Sequence, residues 1–210
     1  ADACSEYKNE VAAVASWDVV PYILNYRRSQ LPIDYKSRHM VSAQVRCDSV
    51  TLNRALKTLG EKHPKLLFVE FCETDFYGHH GKWNEYLNAA HQNDAFIRKL
   101  WQYCQNDEFY KGNTTFIITC DHGRGKSLGL HINRGEVDPA ASWTEHGQHI
   151  AGSNQTWLVA FGKDIQHLGE VEGGKTIYTK QIAPTIASIL NVPFTNGDEQ
   201  VATPIYKILK

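Results

Sequence analysis

Two pairs of side chains in this 210-residue chain have the types and spacing to work at a metal ion. Asp75 and His79 stand four residues apart, with Gly78 between them. In a helix or tight turn that spacing brings both side chains to one side. Asp121 and His122 are adjacent and are followed by Gly123. Carboxylate oxygen and imidazole nitrogen are ligands suited to Zn²⁺ or Mn²⁺. Gly123 lets the chain turn without a side chain crowding a metal or an anion. His146, in Thr144-Glu145-His146-Gly147, joins Asp75 and His79 to make a set of three. Three protein ligands and one open position is the pattern of a catalytic zinc site. His149 is the alternative third ligand. His80 reads as solvent-facing or as standing behind the ligands. Asp121 and His122 begin a second group without completing it. Two ions about 4 Å apart would clamp the attacking and leaving oxygens of a phosphoryl or sulfuryl transfer. Arg124 and Lys126 would add positive charge for an anionic substrate. His39, His63, His91, His131 and His167 have no partner pattern and read as surface or structural.

Both pairs must be held by something rigid, and the pattern supplies it. Thr115 to Cys120 is an uncharged, β-branched and apolar run, read as a buried strand that ends at Asp121. Leu66 to Phe71 reads as a strand that ends just before Asp75. Chemistry in open α/β sheets sits beyond the carboxyl ends of strands, where both pairs fall. Between the strands a long helix is expected from about Trp83 to Gln105, with Tyr86, Leu87, Ala90, Ile97, Leu100, Trp101 and Cys104 on one stripe. Asp94 interrupts that stripe as a helix-surface carboxylate. Leu66 to Cys120 thus reads as a right-handed β-α-β unit with parallel strands. Upstream, Glu10 to Ser16 reads as a strand, and Trp17 to Asn25 as a helix opening at Asp18. Residues 26–45 read as a loop. A further helix runs from a cap at Asp48-Ser49 to Leu59, with Gly60 as its stop. Downstream come a strand over Thr156 to Phe161, a charged loop over 163–176, and a helix over Lys180 to Leu190 ended by Asn191 and Pro193. The tail from Thr195 reads as edge structure. Trp143 and Trp157 read as core.

Composition narrows the classes. The formal net charge is −1, which leaves no electrostatic footprint for nucleic acid and no polybasic membrane patch. No apolar run approaches the roughly 20 residues that span a bilayer. The opening ADACSEYKNE lacks a signal-peptide pattern and an initiator Met, which points to a processed or shortened chain. Cys4, Cys47, Cys72, Cys104 and Cys120 are scattered and form no CxxC pair, so free thiols are expected.

Four segments together resemble a known family. Asp75-x-x-Gly78-His79, Thr119-x-Asp121-His122-Gly123, Thr144-Glu-His146-Gly147 and the helix Gln181 to Leu190 are similar, in order and spacing, to the C-terminal half of alkaline phosphatase superfamily metalloenzymes. That group includes phosphatases, nucleotide pyrophosphatase/phosphodiesterases, sulfatases, phosphopentomutase and cofactor-independent phosphoglycerate mutase. The likeness covers Leu66 to Pro193. It implies an α/β fold with a parallel-rich sheet flanked by helices on both faces. It also implies two divalent metal ions, Zn or Mn, with Asp75, His79 and His146 on one and Asp121 and His122 on the other. The implied partner is a small anionic ester substrate, and the implied function a hydrolase or transferase of phosphate or sulfate esters. A periplasmic or secreted location is slightly favoured by the family.

The departure from the family is upstream. Its members carry an early Asp and a Thr or Ser nucleophile (a modified Cys or Ser in sulfatases) well before Asp-x-x-Gly-His. Residues 1–65 hold no such motif; Asp18 is the positional candidate for the Asp, and Ser29 or Thr51 for the nucleophile. The expectation is therefore one α/β domain over 1–210, the C-terminal portion of a larger enzyme, whose missing N-terminal part supplies the nucleophile and one ligand. The isolated chain would be inactive. The competing expectation is a non-catalytic or truncated domain that binds a metal or an anion.

Overall fold

The computed structural model describes residues 7, 9–25, 31–36, 38–125, 142–195 and 201–210. The element order is β1 (Val11–Ala15), α1 (Val20–Leu24), β2 (Ile33–Asp34), α2 (Asp48–Lys62), β3 (Leu66–Glu70), α3 (Glu73–His79), α4 (Trp83–Asn106), β4 (Thr115–Thr119), β5 (Leu158–Gly162) and α5 (Ile182–Ile189). The fold is α/β, as expected, with a parallel sheet in the order β2-β1-β3 flanked by helices. No described helix is long and apolar enough to cross a membrane.

β1 is the middle strand of that sheet and is buried from Ala12 to Ala15. Its alanines let α2 pack close, and Ala55 on the facing helix is fully buried. The parallel unit is thus β1-α2-β3, with Val11 to Ala15 in register with Leu66 to Glu70. The expected parallel pairing of β3 with β4 is not what forms. β4 pairs antiparallel with β5, Thr115 opposite Gly162 and Thr119 opposite Leu158. Aromatic packing accounts for the choice: Phe116 and Phe161 stack across the ladder at 5.3 Å, and Trp101 of α4 meets both edge-on at 5.4 and 5.0 Å. Phe116 also reaches the core formed by Val14, Leu52, Ala55, Leu59, Phe96, Leu100, Cys104 and Tyr110, which joins the two sheets.

Local departures have local causes. β2 lies inside the stretch read as loop, pairing with β1 through Ala13 and Ile33 just after Pro32. α1 has Val19, not Asp18, at its N-cap, and Pro21 within its first turn. α2 runs through Gly60 and stops at His63, which takes the left-handed conformation at φ 46°. Gly60 answers a different need: a Cβ there would lie 2.9 Å from the Tyr103 hydroxyl of α4. The buried stripe of α4 is Ala89, Phe96, Leu100 and Cys104, so Leu87 and Ala90 face outward. Asp94 is on the surface, as expected, 3.2 Å from Arg98 one turn on. Asn191 ends α5 in the left-handed region at φ 53°, again as expected. The tail is edge structure: Leu209 bridges Ile165, and the Gln166 amide donates to Ile208 O at 2.8 Å. Trp143 is buried, as expected; Trp157 is exposed. Cys47, Cys72, Cys104 and Cys120 are free thiols.

Candidate metal centre

α3 begins two residues after β3 and carries Asp75 in its first turn and His79 in its last. Its N-terminus is capped from outside. The Asp48 carboxylate accepts the amides of Cys72 at 2.9 Å and Glu73 at 3.0 Å. In return the Glu73 carboxylate accepts the Asp48 amide, at the N-terminus of α2, at 3.1 Å. Each helix thereby satisfies orphan donors of the other. Cys47, and not Asp48 or Ser49 as expected, takes the N-cap position of α2, and Asp48 serves α3.

Asp48 sits in a buried polar network. Its Oδ1 also accepts the Ser16 hydroxyl at 2.6 Å, and Ser16 meets the Thr51 hydroxyl at 2.7 Å. Arg46, fully buried, donates from Nε to Thr51 Oγ1 at 3.0 Å and pairs with Asp34 at 2.5 Å. Glu70, at the end of β3, accepts the amides of Ser16 and Trp17 at 2.9 and 3.0 Å. Burial pushes the Asp48 carboxyl up to about 7 against the pull of its hydrogen bonds. Burial raises Glu70 as well, again opposed by hydrogen bonds, here from the amides it accepts.

On the side of α3 the expected residues converge. Asp75 Oδ2 lies 3.5 Å from His79 Nε2, and Asp75 Oδ1 lies 3.6 Å from His122 Nε2 and 3.7 Å from His146 Nε2. The Nε2 atoms of His79 and His146 face each other at 2.9 Å, and the rings of His122 and His146 stack at 3.5 Å. Asp75, His122 and His146 each offer a ligand atom within 4.8 Å of the others. Asp121 is at the margin: its side chain is 80 % exposed, with Oδ2 3.6 Å from His122 Nε2. His80 turns away, its Nδ1 2.7 Å from Phe76 O. His149 is exposed and makes no hydrogen bond or ion pair with the cluster. Partial burial first, then the neighbouring His122, holds the His146 imidazole below its ordinary value, with Asp75 pulling the other way. A neutral imidazole is the form that binds a metal.

The donor set suits a cation. Two ligands on a tetrahedral zinc with bonds of about 2.0–2.1 Å stand about 3.3 Å apart. The separations here, 2.9 to 3.7 Å, bracket that value. A neutral imidazole that carries its proton on Nδ1 presents an Nε2 lone pair, and three such nitrogens stand here beside a carboxylate.

The loops are held together by close backbone contacts. The Gly123 amide donates to Ser153 O at 2.8 Å, and the Gly125 amide to Glu145 O at 3.1 Å. A Cβ on Gly123 would run into the carbonyls of Gly152 and Gln155, so this glycine makes room for a neighbouring loop and not for an anion. Arg124 is also not free for substrate as expected: its side chain is 11 % exposed and is bound to the Asp75 carboxylate. Lys126 and Ser29 lie outside the described residues, as do Cys4 and His131. Thr51 is spent in the buried network and does not reach the cluster. Among the described residues no hydroxyl or thiol makes a hydrogen bond to the cluster's donor atoms. The roles of Asp48 and Arg124 went unrecognised in the sequence, where a lone Asp at a helix start and an Arg after a glycine carry no signal of their partners.

The chain is similar in sequence to known proteins. A 142-residue stretch, 68% of the chain, is 26% identical to the 2,3-bisphosphoglycerate-independent phosphoglycerate mutase of Gracilaria tenuistipitata var. liui. The chain spans 24% of the length of that relative. The Metalloenzyme superfamily matches residues 11–193, from the first residue of β1 to past the end of α5. That range takes in every expected ligand and the network that holds α3, and the chain belongs to this alkaline phosphatase-like metalloenzyme superfamily.

Proposed function

We propose that this chain is the metal-binding portion of an enzyme that hydrolyses or transfers phosphate or sulfate esters. One observation carries the reading: a carboxylate and three imidazoles from three separate segments meet with donor atoms 2.9 to 3.7 Å apart, beyond the ends of β3 and β4. Asp75, His79 and His146 would hold one divalent ion, Zn or Mn, and Asp121 with His122 would contribute to a second. Bound there, the ions would polarise the ester oxygens and offset charge that develops on them. The chain's own part is to hold and orient. α3 presents Asp75 and His79 as one face, and the stacked rings of His122 and His146 form the opposite wall. The phosphoglycerate mutase relative favours phosphoryl over sulfuryl transfer. The nucleophile and one further ligand would come from a part of the protein that precedes these segments.

A second reading has its own support. With Thr51 buried and engaged elsewhere, the described residues offer no attacking group at the cluster, as in a non-catalytic metal-binding domain.

Turnover separates the two. The full-length protein, loaded with Zn²⁺ or Mn²⁺, is assayed on p-nitrophenyl phosphate, its sulfate analogue and a diester. Asp75→Ala and Asp121→Ala should each lower kcat/KM by more than about 100-fold with the fold retained. Full activity in either variant refutes the enzyme reading. Metal binding with no turnover of any of the three supports the non-catalytic one.

A further inference from the structure

Arg124 is the most buried charged side chain beside the cluster, and both its terminal nitrogens are hydrogen-bonded. One terminal nitrogen donates to Thr144 O at 2.9 Å. The other donates to Asp75 O at 3.1 Å and to the Asp75 carboxylate. One planar group therefore ties three segments: the Asp75 turn of α3, the loop after β4 that bears His122, and the segment that leads into His146. Gly78, one turn of α3 from Asp75, is buried against the same guanidinium. A Cβ there would stand 2.6 Å from Arg124 Cζ. The helix has given up a side chain to let the arginine in.

We infer that Arg124 is a positioning residue for the metal donors, and that Gly78 is its seat. This rests on the metal-site reading above. The guanidinium fixes the rotamer of Asp75 and the distance between α3 and the His146 segment, so that the carboxylate and the imidazoles are placed before an ion arrives. Arg suits the task and Lys does not, because only the planar fork can serve two carbonyls and a carboxylate at once. The alternative roles make different demands. A substrate-binding arginine would leave metal affinity unchanged. A guanidinium that merely competes with the ion for Asp75 would weaken affinity, and its removal would tighten binding.

The test is Zn²⁺ affinity, measured on the purified protein by chelator competition, alongside thermal unfolding of the metal-free form. Arg124→Gln should weaken Zn²⁺ binding by about 10- to 100-fold, the range for groups that orient ligands, and Arg124→Lys by less. Gly78→Ala keeps the charge and improves the helix, since alanine outranks glycine there. The clash with the guanidinium offsets that gain, so the variant should weaken Zn²⁺ binding about as much as Arg124→Gln does while the metal-free protein stays folded, a split that a purely structural role would not produce. Gly78→Ala also carries the test if Arg124→Gln fails to fold. Wild-type or tighter affinity in Arg124→Gln and Gly78→Ala, where Asp75→Ala abolishes binding, overturns the role of Arg124 and leaves the metal site standing. Equal affinity in wild type and Asp75→Ala removes the metal site itself, and this inference with it.

Discussion

The network under the N-terminus of α3 and the cluster along its side use the same residue types and differ in nearly everything else. In the network, Ser16, Arg46, Asp48 and Thr51 are almost wholly buried, and each polar side chain has a partner. In the cluster, Asp75, His79, His122 and His146 are partly open to solvent, and the three imidazole Nε2 atoms face only one another and carboxylates. A satisfied polar group stabilises a fold, and an unsatisfied buried one costs free energy. Among the described residues, the one side-chain donor outside the histidines that meets the cluster is Arg124, on the Asp75 carboxylate, and the imidazole nitrogens and the second carboxylate oxygen are the kind of ligands a cation takes. The contrast divides the labour: one region holds α3 in place, and the other gathers the side chains that the proposed metal site would use.

Breaking the network should have the largest effect on stability. Asp48→Ala leaves the Ser16 hydroxyl and two amides without their acceptor, at about 1–3 kcal/mol each. The unfolding free energy should fall by about 3 kcal/mol or more in urea titration. A loss below about 1 kcal/mol would mean that the network does not hold α3. The cluster should behave the other way. Zn²⁺ at 100 times its Kd should stabilise the metal-free protein by about 2.7 kcal/mol, and a chelator should reverse the gain. His146→Ala should abolish that shift while changing metal-free stability by less than about 1 kcal/mol, within the usual range for a surface position.

pH sharpens the same contrast. Asp48 titrates at about 7 in the fold and near 4 when unfolded, so the folded state binds the extra proton between those values. Stability from this group is greatest below pH 4 and is lost as pH rises through 7, with a slope of at most about 1.4 kcal/mol per pH unit. Glu70 is displaced in the same direction and adds to the trend. Urea titrations of the metal-free protein from pH 4 to 8 should show the decline, and Asp48→Asn should flatten it. An unchanged slope in Asp48→Asn would assign the trend to other groups. The smallest effect belongs to an exposed pair that lies in neither region: Arg98→Ala removes its contact with Asp94 and should cost no more than about 0.5 kcal/mol.

That Asp75 lies near His79, and Asp121 near His122, was legible because the signal is local, whereas His146 was singled out by the family resemblance of its segment. A carboxylate and an imidazole one helical turn apart, or adjacent after an apolar strand (half-buried, and not buried as expected), state their geometry in a few positions. The same holds for β1, α2, β3, α4 and α5, where period and composition agree. Strand pairing was not legible. β4 pairs with β5 through Phe116 and Phe161, a contact between residues 45 positions apart that leaves no trace in either segment alone. The stripe of α4 was misplaced by a residue at its first turns because Leu87 and Ala90 satisfy the same apolar pattern as Ala89. Asp48 and Gly60 were assigned to their own helix, since capping across helices and contact with Tyr103 are decided by packing. Arg124 was read as a substrate group because its partners, Asp75 and Thr144, are distant in the chain.

Diffraction at the zinc absorption edge, from crystals of the protein equilibrated with Zn²⁺, addresses the central claim most directly. The claim predicts an anomalous peak about 2.0–2.2 Å from Asp75 and from the Nε2 atoms of at least two of the three cluster histidines. A fully loaded crystal with no peak at that position, or with its ion held elsewhere, would contradict it.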